Sequence, residues 1–157
     1  MPHVATYVQL AHRSEQTMAD SLRTVADGHA QQADMFHACL TLAKMSDSHV
    51  ALLAPIADRY RHSSRGDDVD EPERLHAAGL AEVRSGQIGL LRDLQDLHLL
   101  ATLVQTTWTV LVQGAQGLRD RELLAIATAC NAETSRQLSW LNTRMKAAAP
   151  QALIVAP

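Results

Sequence analysis

The sequence predicts an all-α protein, an antiparallel four-helix bundle with one long crossover between its second and third helices. Three observations carry that expectation. Hydrophobic residues make up 46% of the 157 residues but aromatics only 3%, so the core is drawn from Leu, Ala, Val and Met, a mix that favours helix over strand. Four separate stretches repeat apolar residues in alternating steps of four and three, the spacing of helices packed lengthwise on neighbours. The links inside each half of the chain are short, whereas His62 to Gly89 is long enough to carry the chain back along a whole bundle. A chain of this length reads as a single domain, residues 1–157, large enough to bury roughly 70% of its unfolded surface.

The first helix is expected from about Val4 to Ala26. Its seam is Val4, Val8, Ala11, Glu15, Met18, Leu22 and Val25, and its opposite face (Gln9, Arg13, Gln16, Asp20, Arg23, Asp27) is polar throughout. Gly28 is placed to end it as a left-handed C-cap. The second helix, about Ala30 to Arg61, carries the stripe Met35, Cys39, Leu42, Ser46, His49, Leu53, Ile56 and Tyr60. Pro55 is expected to kink or interrupt its last turns. The polar, acidic run from His62 to Glu71 reads as a surface loop. Asp70, Pro72 and Glu73 then form a capping-box pattern opening a short helix through about Val83, which Ser85-Gly86-Gln87-Ile88-Gly89 breaks. The third helix spans about Leu90 to Gln116, with Leu90, Leu94, Leu97, Ala101, Val104, Trp108 and Leu111 in its seam and His98 and Gln105 on the flank. Gly117 is expected to end it. Asp120 can cap the fourth helix, which runs to about Ala148 along Leu123, Ile126, Cys130, Glu133, Gln137 and Trp140. The tail from Gln151 is apolar and available for packing on the bundle or on a partner.

Several function classes are disfavoured by composition. A formal charge of -3 gives no basic field for nucleic acid. No stretch approaches 18 uncharged apolar residues, so no membrane span is expected. Cys39 and Cys130 both fall in apolar helical patterns and read as small core residues in a reducing compartment. With no basic, apolar leader at the N-terminus, the chain reads as cytoplasmic. No glycine-rich phosphate loop and no Ser–His–Asp spacing is present, so no enzymatic reaction is legible.

The residues that break the pattern are the informative ones. Glu15 and Glu133 occupy seam positions, where a lone carboxylate would cost several kcal/mol unless protonated, paired or metal-bound. Two helical hairpins joined by a long crossover, with a glutamate in the first and last seams, resemble the ferritin-like superfamily. The resemblance implies a di-metal site built from a Glu on helix 1, Glu-x-x-His on helix 2, a Glu on helix 3 and Glu-x-x-His on helix 4. Glu15 matches the first position. Ser46-x-x-His49 keeps the histidine of the second without its carboxylate, helix 3 offers only His98 and Gln105, and Glu133 is followed by Arg136 where a histidine belongs. What the resemblance implies is therefore a similar fold with a degenerate site.

The expected pocket comprises Glu15, His49, His98 and Glu133 with His12, and it can hold one divalent transition metal, iron, zinc or manganese. The competing reading is a metal-free bundle in which each buried glutamate pairs with an Arg, His or Gln of a facing helix and fixes register. Counted from Gly28, Glu15 lies 13 residues back and His49 21 forward, a mismatch of about 12 Å. Counted from Gly117, Glu133 and His98 are nearly level at 16 and 19 residues. The small seam residues and the apolar tail favour a homo-oligomer, a dimer in the first instance.

Overall fold

The computed structural model describes residues 2–63 and 79–155. Four helices form a bundle: α1 (Pro2–Gly28), α2 (Ala33–Ser63), α3 (Gly86–Leu118) and α4 (Arg121–Pro150), followed by one π-helical turn, Gln151–Val155. No strand occurs among the described residues. α1 packs on α2 and on α3, and α4 packs on α3 and on α2. The end of α2 is tied to the α3–α4 link by Tyr60 and Arg59 on Asp120, while the α1–α2 link meets the start of α3 through His29 on Asp93. Every neighbouring pair is therefore antiparallel. The end of α2 and the start of α3 therefore lie at opposite ends of the bundle, roughly 45 Å apart for helices of this length.

The apolar stripes bury as their spacing requires. Val8, Met18, Leu22, Met35, Leu53, Leu90, Leu94, Leu97, Trp108 and Leu123 are among the fully enclosed side chains. α4 departs from the expected stripe. Its buried line is Leu123, Ala127, Cys130, Thr134, Gln137, Leu141 and Ala148, so Ile126, Glu133 and Trp140 lie on its flank. The two lines share Leu123, Cys130 and Gln137, and periodicity alone cannot choose between residues one position apart when both are apolar or small.

The helix ends differ from expectation in instructive ways. Gly28 is not left-handed; its part is steric, because a Cβ there would stand 2.1 Å from the Val83 side chain. The returning crossover can pass over the first hairpin only because that position carries no side chain. α2 continues through Pro55, since Pro55 and Ala51 both face solvent and water can serve the carbonyl that proline leaves without a donor. His62 and Ser63, expected to open a surface loop, complete α2, because the helix runs two residues past Arg61; the rest of that loop and the capping box at Asp70 lie outside the described residues. The described stretch from 79 to 85 is not helical, against the helix expected through Val83. There Gly79 at φ 76° seats against Thr17 and Ser21, and Leu80 N–H donates to Ser21 Oγ at 3.0 Å. These contacts hold the backbone against α1 in place of a helical turn. Gly86 to Gly89, expected to lie in a break before Leu90, form the first turn of α3. α3 runs past Gly117, and Arg119 supplies the left-handed residue (φ 57°), with Asp120 N–H returning to Ala115 O at 3.0 Å.

Asp120 is the joint of that end. It caps α4 by accepting from Leu123 N–H (3.1 Å), and it also accepts from Tyr60 Oη (2.6 Å) and Arg59 Nη2 (2.8 Å). Burial pushes its pKa upward, but the bonds from Tyr60, Leu123 and Arg59 outweigh that and hold it below the ordinary carboxylate value. Burial, reinforced by Asp120, raises Tyr60 to about 12.

Candidate functional site

At mid-bundle one side chain from each helix enters a single polar layer. His49 on α2 places Nδ1 2.7 Å from Glu15 Oε1 on α1 and Nε2 3.0 Å from Glu133 Oε2 on α4. Trp108 on α3 donates its indole N–H to the same Glu15 Oε1 at 2.8 Å, with its ring edge-on to His49 at 6.3 Å. Glu15 and Trp108 are fully buried and His49 is 2% exposed. Glu133, entering from the flank of α4, keeps 41% of its side chain accessible. Glu15 Oε2 is buried with no hydrogen-bond partner.

Helix registry explains why Glu15 and His49 meet. α1 ends at Gly28 and α2 begins at Ala33, so the hairpin turns near residue 30, and Glu15 and His49 lie about 15 and 18 residues from it. The remaining offset of about 4.5 Å is closed by side-chain direction, since helical side chains lean toward their own N-termini. Glu15 leans away from the turn and His49 toward it. On the other hairpin the turn falls near Arg119, which puts Glu133 almost level with Trp108 and leaves His98 about 12 Å further along the axis. The structure thus brings Glu15, His49 and Glu133 together, whereas no hydrogen bond or ion pair joins His98 or His12 to them. Trp108 was not expected in the site. Its signal was present in the sequence, because a tryptophan deep in a seam carries an N–H that must find an acceptor.

The electrostatics follow from the geometry. Burial is the largest single influence on His49 and lowers its pKa, but the two glutamates together overcome it and raise the pKa above the ordinary histidine value. Both ring nitrogens lie within hydrogen-bond distance of carboxylate oxygens on different helices, so the protonated ring can donate to both. Cys130 lies close enough to feel both glutamates; burial first, then these charges, push its thiol up to about 12, which makes it an inert neighbour. Below the layer, Gln137 on α4 donates to Leu42 O (2.9 Å) and Ser46 Oγ (3.0 Å) on α2. α2 and α4 are therefore joined through polar side chains at two successive levels.

A second buried polar group lies at the hairpin end. Asp93, fully buried, accepts from His29 Nε2 (2.8 Å), Arg84 N–H (3.0 Å) and Arg84 Nη1 (2.8 Å). Arg92 faces solvent, whereas its neighbour Asp93 and the turn residue His29 are buried. Asp93 stands three residues after Leu90 and four before Leu97, which is a seam position. Its partners strap the end of the crossover to the first hairpin.

Among the described residues no three His, Cys, Asp or Glu side chains are grouped as a metal-ligand set, and no helix is long and apolar enough to cross a membrane. In comparison with known proteins, no family model, no curated protein sequence and no solved structure matches this chain.

Proposed function

We propose that the chain is a ferritin-like helical interaction module whose Glu15–His49–Glu133 layer sets the register of the four helices and performs no redox chemistry. The supporting observation is the double use of His49, whose two nitrogens bind carboxylates from different helices on opposite edges of the ring. An ion ligated through Nε2 would meet Glu133 but not Glu15, which lies across the imidazole. The usual di-metal set does not fit either. Ser46 stands where helix 2 would supply its carboxylate, α3 brings Trp108 to the layer, and Arg136 follows Glu133. A buried charged layer of this kind selects one packing over its alternatives, because any slip of one turn leaves charges unpaired in an apolar core. Glu15→Gln and Glu133→Gln should both fold as helical bundles and carry no less metal than the wild type. Loss of metal or of a defined fold in either would count against this reading.

One observation favours a second reading. The orphaned, buried Glu15 Oε2 is an open ligand position, and with a rotated Glu133 and His49 it could serve a single iron, zinc or manganese ion. Elemental analysis of protein purified without a His tag, beside Glu133→Ala, separates the two. One equivalent of metal that disappears in the variant establishes the ion, whereas substoichiometric or equal metal in both proteins leaves the metal-free module.

A further inference from the structure

The outer face of α3 is unlike that of the other three helices. α1 turns Arg13 and Asp20 to solvent, α2 Lys44 and Asp47, and α4 Arg136 and Lys146. From Leu97 to Leu118, α3 contains no Asp, Glu, Lys or Arg at all. Ile88, Leu99 and Val110, spaced eleven residues apart and so on one face, are 48%, 68% and 47% exposed. The threonines of this outer surface add little polarity. Thr102 donates to His98 O, Thr106 to Leu103 O and Thr109 to Gln105 O, all within 3.0 Å, so their hydroxyls are consumed by their own helix. Further along are Gly114 and Gly117. Neither has a positive φ, and a Cβ at either would meet nothing within 4 Å. Glycine weakens a helix interior relative to alanine, and no contact among the described residues requires it at these two positions.

We propose that this face is the self-association surface of the protein, where α3 of a second copy packs antiparallel across it. The inference rests on the interaction-module reading, but its test leaves the polar layer untouched, so either can fail alone. Charge complementarity selects the occupant. A charged helix would have to desolvate its charges against Leu99, Leu103 and Val110 with no counter-ion between Leu97 and Leu118, the nearest charge on this face being Arg92 at its N-terminal end. A partner with an equally uncharged face avoids that, and the chain itself supplies one. Antiparallel pairing about Thr106 sets Leu99 of each copy near Gly114 and Gly117 of the other, where missing side chains let the helices approach, and it opposes the helix dipoles favourably. The charge-free span is about 33 Å long and about 12 Å wide, roughly 400 Å² in projection. That is on the order of half of the ~800 Å² each partner contributes to a standard interface, so the dimer is a weak one.

Sedimentation equilibrium of the full chain from about 1 to 300 μM tests this, with circular dichroism as a check on folding. The wild type should dimerise within that range. Leu99→Arg, at an exposed position, should raise the dissociation constant at least tenfold with an unchanged spectrum. The Gly114→Ala/Gly117→Ala double variant should dimerise more weakly while melting at a higher temperature, a pairing of effects that a purely structural role for the glycines would not produce. A wild type monomeric throughout the range overturns the proposal. So does a dimer indifferent to Leu99→Arg, or one abolished only by removing the apolar residues Leu153–Val155.

Discussion

Replacing Glu15 by alanine tests the energetics of the polar layer directly. The substitution removes the acceptor shared by the Trp108 indole N–H and the His49 Nδ1–H, both buried, and leaves His49 with Glu133 as its one carboxylate. Each unsatisfied buried donor costs about 1–3 kcal/mol, and breaking a buried ion pair by removing one partner typically costs about 3–5 kcal/mol in all. The cavity left by the side chain acts in the same direction. We therefore expect Glu15→Ala to lose about 3–5 kcal/mol, which for a domain of this size lowers the melting midpoint by on the order of 10 °C. Glu15→Gln keeps a side-chain oxygen for both donors and removes a buried charge, so it should stay within about 1.5 kcal/mol of the wild type. Urea unfolding followed at 222 nm, with Trp fluorescence as a second probe, measures both. Adding Trp108→Phe to Glu15→Ala completes a double-mutant cycle, for which a coupling of about 0.5–3 kcal/mol is expected. If Glu15→Ala falls within 1 kcal/mol of the wild type, or the coupling is nil, the layer does not hold the helices together and the reasoning fails.

Three further outcomes follow from the same geometry. Because the folded-state pKa of His49 is raised, its stabilisation is complete below the unfolded value of about 6.5 and is lost as pH rises through the higher folded-state value; the gap between wild type and His49→Gln in urea midpoint should narrow from pH 6 to pH 9.5, and a widening gap would refute the assignment. Asp120 has the opposite sign: its contribution is present above the unfolded pKa of about 3.9 and disappears as pH falls through the lower folded value, and at pH 7 Asp120→Ala should cost about 2 kcal/mol in equilibrium unfolding through loss of the α4 cap and the ties to Tyr60 and Arg59. Gly28→Ala should destabilise by about 1–3 kcal/mol through collision with Val83, and adding Val83→Ala should recover most of that loss; failure of the second change to rescue the first would show that Gly28 serves another purpose.

The four long helices and the inward faces of α1, α2 and α3 were legible in the sequence, because they depend on a local rule. A residue and its neighbours three and four positions on share one side of a helix whatever surrounds it, so the spacing of Val8, Ala11, Glu15 and Met18 already placed Glu15 in the core. The long crossover was equally legible, since two short links and one long one leave few ways to close four helices. What Glu15 meets could not be read in that way. Its partners lie 34 and 93 residues away in sequence, and the level at which helices face each other depends on where each turn falls and how each side chain leans. Moving the hairpin pivot from Gly28 to the link beyond it converts a mismatch of about 12 Å into a hydrogen bond between Glu15 and His49, while the same kind of shift removes His98 from Glu133. Glu133 shows the limit most sharply. Periodicity placed it in the core; packing put Thr134 there and left the longer glutamate to reach in from the rim, so that one carboxylate of the layer is sealed and the other meets water.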